Sequence, residues 1–222
     1  MTTVSDSGEK KRGRPRRQPV LDAAAITEAA VRLADSNGIE AVSIRRLAAE
    51  LDARAMSLYD HFSSKDEVLS SMANRAVEEV LVPGPLPPDW REAVTAIATR
   101  LYVTLVSHPW LTIVLSERPR FGPNATKLAR QMLAATEELP LPEDRIWVVL
   151  GIVNDYVLGH SLRAVTKPDE SELRELIPKE DLVETEELAS LPDYLRTRAS
   201  VTRFEEGLET TLDGIERRFL EG

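Results

Sequence analysis

Cysteine is absent from this chain, which removes disulfides, thiolate metal sites and cysteine nucleophiles together. Aromatic residues make up only 5% of 222 positions, and no long Val/Ile/Thr-rich run alternates at the period of a half-buried strand. No apolar run approaches the ~20 residues that cross a bilayer as a helix. The N-terminus is polar and basic without an apolar segment, unlike a secretory signal. No nucleophile motif, glycine-rich phosphate loop or metal-spaced His/Glu cluster occurs, although His108, His160 and Asp155 could in principle form an acid–base set. These absences predict a soluble cytoplasmic protein that is not an enzyme and carries no metal or cofactor.

What is abundant is helical: Ala, Leu, Glu and Arg dominate and charged residues reach 29%. An all-α protein is expected, and the length suits a domain of ~50 residues followed by one of ~140. The net charge of -9 is unevenly spread. Residues 1–20 hold six basic side chains (Lys10, Lys11, Arg12, Arg14, Arg16, Arg17) against Asp6 and Glu9, while residues 71–222 supply the acidic excess. A local basic patch, not the total, is what meets phosphate.

Asp22 to Asn37 reads as a helix with Ile26, Ala30 and Leu33 inward, closed by Gly38 at the left-handed cap position. Ser43 to Phe62 reads as two short helices. Ile44, Leu47, Ala48 and Leu51 form one apolar face, Asp52-Ala53 interrupts it, and Ala55, Leu58 and Phe62 begin another. Helices joined by so short a turn cross steeply, leaving the outer face of the second free to enter a DNA major groove. An ordinary helical hairpin has the same spacing. Ser64 and Glu67 form a capping box opening a fourth helix to about Leu81. Beyond the Pro83–Pro88 break, helices are expected from Asp89-Trp90 to Ser107, from Trp110 to Glu117, from an Asn124 cap to Glu138, from Glu143 to Thr166, and from Asp193 to Leu220. The acidic, proline-punctuated residues 168–192 read as a mobile excursion.

The run from Ile26 to Leu69 resembles the DNA-binding domain of the TetR (tetracycline-repressor) family. The resemblance rests on Ala29-Ala30, Leu33, Gly38, Ser43 to Leu51, Leu58-Tyr59, His61-Phe62 and Lys65. It implies an N-terminal three-helix helix-turn-helix domain and a helical ligand-binding and dimerisation domain, dimeric through a four-helix bundle. By that resemblance Ser43, Arg45 and Arg46 contact the DNA backbone and at times a base. Arg54, Ala55, Met56, Ser57, Tyr59, Asp60 and His61 form the outward side of the recognition helix, with Tyr59, His61 and Lys65 on phosphates. Arg54 suits bidentate reading of guanine. Asp60 departs from the family habit, and an ion pair with a nearby arginine is expected there. The second half resembles the ligand domain of the tetracycline-repressor branch through Ser107-His108, Arg118-Pro119, Leu158-Gly159 and Phe204 to Glu209. Val114 or Leu115 stands where that repressor has its magnesium-binding histidine, and Ile97 and Leu101 stand where it has drug-contacting Asn and Phe. A magnesium–tetracycline effector is not expected.

Three domains follow: a disordered basic arm (1–18), the helix-turn-helix domain (19–66), and the effector-binding and dimerisation domain (67–222). Within the arm, Arg12-Gly13-Arg14-Pro15 resembles an AT-hook, whose extended Arg-Gly-Arg lies in A·T-rich minor groove; a polybasic tail touching phosphates has the same composition. Tyr102, His108, Trp110, Trp147, Asn154, Asp155 and His160, with Trp90 and Tyr156, are candidates to line an effector pocket, since apolar walls with few polar groups suit small molecules. Phe204, Leu208, Thr211, Ile215 and Phe219 step like a helix seam, and Gly151, Leu158 and Gly159 allow close approach, so these are expected at a homodimer interface. Burial of the same face within one subunit fits the spacing too. The reading is a repressor on palindromic double-stranded DNA, released by a small, largely apolar effector, with no membrane partner; a ligand-responsive activator or a regulator without effector remains open. Deleting residues 1–18 is expected to reduce the slope of log K against log salt by roughly 0.9 per lost phosphate contact. An unchanged slope in a salt titration of DNA binding would make the arm a passive tail.

Overall fold

The computed structural model describes residues 21–117, 122–166, 194, 197 and 199–220, and among them every regular element is helical. Arg12, Arg14, Arg16, Arg17, Arg118 and the excursion 168–192 lie outside the described residues. The first four helices are α1 (Ala23–Asn37), α2 (Ile44–Glu50), α3 (Ala55–Tyr59) and α4 (Lys65–Val80). They continue as α5 (Trp90–Ser107), α6 (Pro109–Glu117), α7 (Pro123–Ala135), α8 (Glu143–Val165) and α9 (Val201–Ile215), the last running into a π-helical turn over Glu216–Leu220. No helix among the described residues is long and apolar enough to cross a membrane.

The start signals act as their chemistry dictates. Asp22, Ser43, Ser64, Asp89 and Ser200 each accept from a backbone N–H three residues on, satisfying an otherwise orphaned donor. Gly38, at φ 79°, closes α1 with its N–H on the Ala34 carbonyl. The box at α4 differs in detail: the Glu67 carboxylate accepts from the N–H and hydroxyl of Ser63, not from Ser64. Those two bonds hold its carboxyl below the usual range. Two expected boundaries move. Helix α7 is capped by Gly122 and ends at Ala135, because Asn124 is buried in the first turn and its amide donates to the Asn74 carbonyl instead of capping. The last helix begins at Val201, since Ser200 caps it after a turn and bend at residues 199–200.

One apolar core runs through both halves. Ile26, Leu47, Leu58, Val68 and Met72 fill the N-terminal part, and Leu105, Leu111, Val149, Val157 and Phe204 continue it. Helix α4 is the shared element, packing on α1 at one end and on α5, α6 and α7 beyond. Polar bonds reinforce this junction. His108, the residue between α5 and α6, sits buried with Nδ1 2.7 Å from Asp35 Oδ1 in the last turns of α1 and Nε2 3.3 Å from Glu79 Oε2 on α4. Trp110 Nε1, in the first turn of α6, donates to the same Asp35 oxygen at 2.7 Å. Arg75 on α4 bridges Glu28 of α1 and Glu79. The arginine is held further toward its charged form chiefly by its hydrogen bond to Glu28.

A second knot joins α5, α8 and α9. Tyr102 stacks on Phe204 with centroids 4.1 Å apart, and His160 meets both edge-on. Tyr156 donates its hydroxyl to the Phe204 carbonyl at 2.9 Å, against Gly207, where any Cβ would collide with that hydroxyl. His160 lies 3.3 Å from the Ser200 carbonyl oxygen through Nε2, and burial is the main cause lowering its pKa from 6.5.

Two outcomes follow. The unfolded chain takes up the His160 proton near pH 6.5, the folded one only below it, so stability declines as pH falls from about 6.5 through the lowered folded value. His160→Gln is expected to flatten the loss of Tm on acidification in thermal melts; an equally steep loss would exclude this residue as the cause. Asp35→Ala leaves the indole and imidazole donors without their acceptor and is expected to cost about 2–3 kcal/mol in urea unfolding. A cost under ~0.5 kcal/mol would mean that the junction is held by packing alone.

Candidate functional site

Two surfaces and one cavity hold the residues with functional chemistry. The first surface is built on α2 and α3. Leu47, Leu58 and Phe62 are buried and Leu51 packs partly buried beside them, so these four side chains hold the hairpin together, as their spacing predicts. Asp52, at φ 48°, supplies the left-handed residue of the turn, and the Ala53 N–H closes it on the Ala48 carbonyl. The residues expected to face outward are mostly exposed: Arg45, Arg46, Arg54, Ala55, Met56, Tyr59, Asp60, His61 and Lys65. Met56 is 73% exposed, far beyond what a packing methionine needs. Ser57 is half-buried, and Ser43 is half-buried with its hydroxyl occupied as the α2 cap. Arg54 precedes α3 without spending its side chain on a cap. Among the described residues none of Arg45, Arg46, Arg54 and Lys65 is in an ion pair.

Asp60 corrects one expectation. No cation among the described residues lies within ion-pair distance of it. Arg54 sits six positions back, in extended conformation just before α3, and makes no ion pair with it.

The cavity has a volume of about 250 Å³ and lies among α4, α5, α6, α7 and α8. Its wall is Val77, Val94, Ile97, Ala98, Leu101, Leu115, Ala125, Leu128, Ala129, Met132, Leu150, Val153, Asn154 and Val157. Of the expected pocket residues only Asn154 is there. Tyr102 and His160 are locked in the α5–α8–α9 knot, and His108 and Trp110 are bound to Asp35. Trp90 packs half-buried against the small cluster of Leu139, Ile146 and Leu150. Trp147 is 47% exposed and Asp155 is exposed too. The Asp155 carboxylate is therefore solvated and has no cost of burial for a ligand to relieve. The missed signal was Ala125, Leu128, Ala129 and Met132, whose three- and four-residue steps place small and flexible side chains on one face of α7. Ile97 and Leu101, noted as departures from the tetracycline repressor, do line the cavity.

The second surface is the outer side of α8. Val148, Ile152 and Leu162 are exposed apolar side chains, and Gly151 and Gly159 face open space. With Asp155 they step along one helix face at three- and four-residue intervals. The expected seam on the last helix is corrected. Phe204, Leu208 and Ile215 are 0–3% exposed in the single chain and packed into its own core, so they offer no area to a partner. Thr211 and Phe219 are half-buried, as are Leu158 and both α8 glycines. The spacing correctly marked a buried face but could not say against what it is buried.

Comparison with known proteins agrees with this architecture. Residues 26–72 match the model "Bacterial regulatory proteins, tetR family" and residues 83–219 match "Tetracyclin repressor-like, C-terminal domain". An HTH-type transcriptional regulator of Saccharopolyspora erythraea is 35% identical over 65% of this chain and 61% of its own length. The HTH-type transcriptional repressor DrrR1 of Streptomyces coeruleorubidus is 33% identical over 69% of this chain and 57% of its own. The chain thus spans about three fifths of these relatives. A crystal structure of a possible TetR family transcriptional regulator from Streptomyces coelicolor superposes with a TM-score of 0.75 at 26% identity, covering 88% of this chain and 99% of that one. The TetR family protein ActR of the same species, in complex with actinorhodin, superposes at 0.72 with 24% identity, covering 89% and 96%. Matched along both its helix-turn-helix and its helical second domain, the chain belongs to the TetR family of bacterial regulatory proteins.

Proposed function

We propose that the chain is a sequence-specific DNA-binding transcriptional repressor. It works as a homodimer on a palindromic operator and leaves it when a small, largely apolar effector fills the cavity. Residues 19–66 read DNA, with the arm 1–18 adding minor-groove or phosphate contacts, and residues 67–222 bind effector and partner. The observation that carries the reading is that a helix-turn-helix presenting exposed Arg45, Arg46, Arg54 and Lys65, free of ion pairs among the described residues, shares one continuous core with an apolar cavity through α4. DrrR1 is a repressor by name and ActR binds a small molecule, which supports both halves of the reading.

One helix-turn-helix reads too few base pairs to specify a genomic site, so two copies are required. The outer face of α8 is the surface we assign to the partner, because its apolar side chains lack cover in the single chain and its glycines permit close helix approach.

Release needs a mechanical route. Helix α4 runs from Lys65 at the DNA side to Val77 in the cavity wall, and α6 runs from Leu115 in that wall to Trp110 on Asp35. Displacing either helix shifts the recognition helices against a spacing of ~34 Å on DNA. An effector preferring the displaced dimer by ~3 kcal/mol lowers operator affinity about 150-fold.

The paired change Val148→Glu and Ile152→Glu is expected to give helical monomers, by sedimentation and circular dichroism, with operator affinity reduced at least ~100-fold. Dimers that persist would rule out this face. Arg54→Ala should lose about 1–3 kcal/mol of discrimination at one base pair in each half-site. The repressor reading fails if the parent protein selects no palindrome from a random duplex pool.

A further inference from the structure

Resting on the reading of the cavity as the effector site, we propose which chemical class it takes. The ligand is a neutral, mainly aliphatic molecule of roughly ten non-hydrogen atoms with one hydrogen-bonding group, such as an alcohol, ketone or amide, and Asn154 selects that group. Size comes first. A cavity of ~150 Å³ holds benzene, so about 250 Å³ holds proportionally more.

Composition is the stronger constraint. Among the described residues, thirteen of the fourteen that line it are aliphatic or methionine, and none of these carries a ring or a charge. Described rings close in sequence to this wall are committed elsewhere: Tyr102 and Tyr156 to Phe204, Trp110 to Asp35, and His160 to the knot beside Ser200. They are therefore withdrawn from stacking on a flat aromatic ligand. A carboxylate or ammonium group entering this wall would lose its hydration without a counter-charge from the described residues, which is far more costly than burying a neutral oxygen. Among the described residues Asn154 is the single polar side chain in the wall. Its amide offers both donor and acceptor, so either a hydroxyl or a carbonyl is satisfied. Met132 supplies a deformable thioether wall that adapts to chain shape.

The test is calorimetric titration of the full-length protein, without DNA, using 1-octanol, 2-nonanone, octanoate, octylammonium and 1-naphthol. The first two are expected to bind, octanoate and octylammonium at least ~100-fold more weakly, and 1-naphthol more weakly than 1-octanol. Asn154→Leu should weaken 1-octanol and 2-nonanone about tenfold, the worth of one neutral hydrogen bond. Filling the cavity by Ala98→Phe or, separately, Ala129→Phe should abolish binding by both, each variant being checked for a parent-like helical spectrum. The proposal is overturned if neither neutral probe binds, if octanoate or octylammonium comes within tenfold of 1-octanol, if Asn154→Leu changes nothing, or if binding survives both fillings. A probe that binds yet leaves operator affinity unchanged counts against the effector role while leaving the ligand class in place.

Discussion

A single carboxylate oxygen, Oδ1 of Asp35, lies 2.7 Å from both the Trp110 indole nitrogen and the His108 imidazole Nδ1. The three residues come from the DNA-side helix α1 and from the joint between α5 and α6, elements about 75 positions apart in the chain. Two buried donors on one acceptor at the edge of the core, its carboxylate still partly exposed, fix angle as well as distance. Packing of apolar side chains is non-directional and would tolerate more rotation. The opposite ring nitrogen faces Glu79, whose partner Arg75 also holds Glu28. Polar geometry thus orients what the continuous apolar core merely holds together.

The scarcity of aromatic residues has a consequence for chemistry. With so few rings, each used in packing or in a hydrogen bond is one fewer for a ligand. Tyr102, Tyr156, His160 and Phe204 form one mutual cluster that fastens α9 to α5 and α8. Among the described residues, what remains to line the cavity is aliphatic apart from Met132 and Asn154, and alanines at 98, 125 and 129 leave space between larger neighbours. Fold stability and ligand preference are in this way settled by the same allocation of side chains.

Much of the N-terminal domain was legible along the chain, because its signals are local. A cap accepts from an N–H three residues away, Gly38 is required by its own φ, and Leu47, Leu58 and Phe62 bury on a face set by helical period. The outward residues of α3 follow as the complement of that face. By the same logic a helix was expected from Glu143 to Thr166, and α8 spans Glu143–Val165 with Val149, Val153 and Val157 buried.

The second half was legible only to the level of helices. Periodicity states that Phe204, Leu208 and Ile215 share a buried face, but the partner of that face is a long-range fact, and here α5 and α8 of the same chain cover it. Likewise, no local rule reveals that His108 and Trp110 turn toward Asp35 and Glu79 and away from the cavity, or that Asp155 points to solvent while its neighbour Asn154 lines the wall. Adjacent residues on a helix differ by about 100° in direction, so one step separates a ligand contact from an exposed carboxylate. The sequence by itself determined helix class, the caps of the first domain, the helix-turn-helix and the division of charge, since these depend on neighbours within a few positions. Tertiary packing alone decided which apolar face is internal, which is left for a partner, and which side chains surround the empty volume.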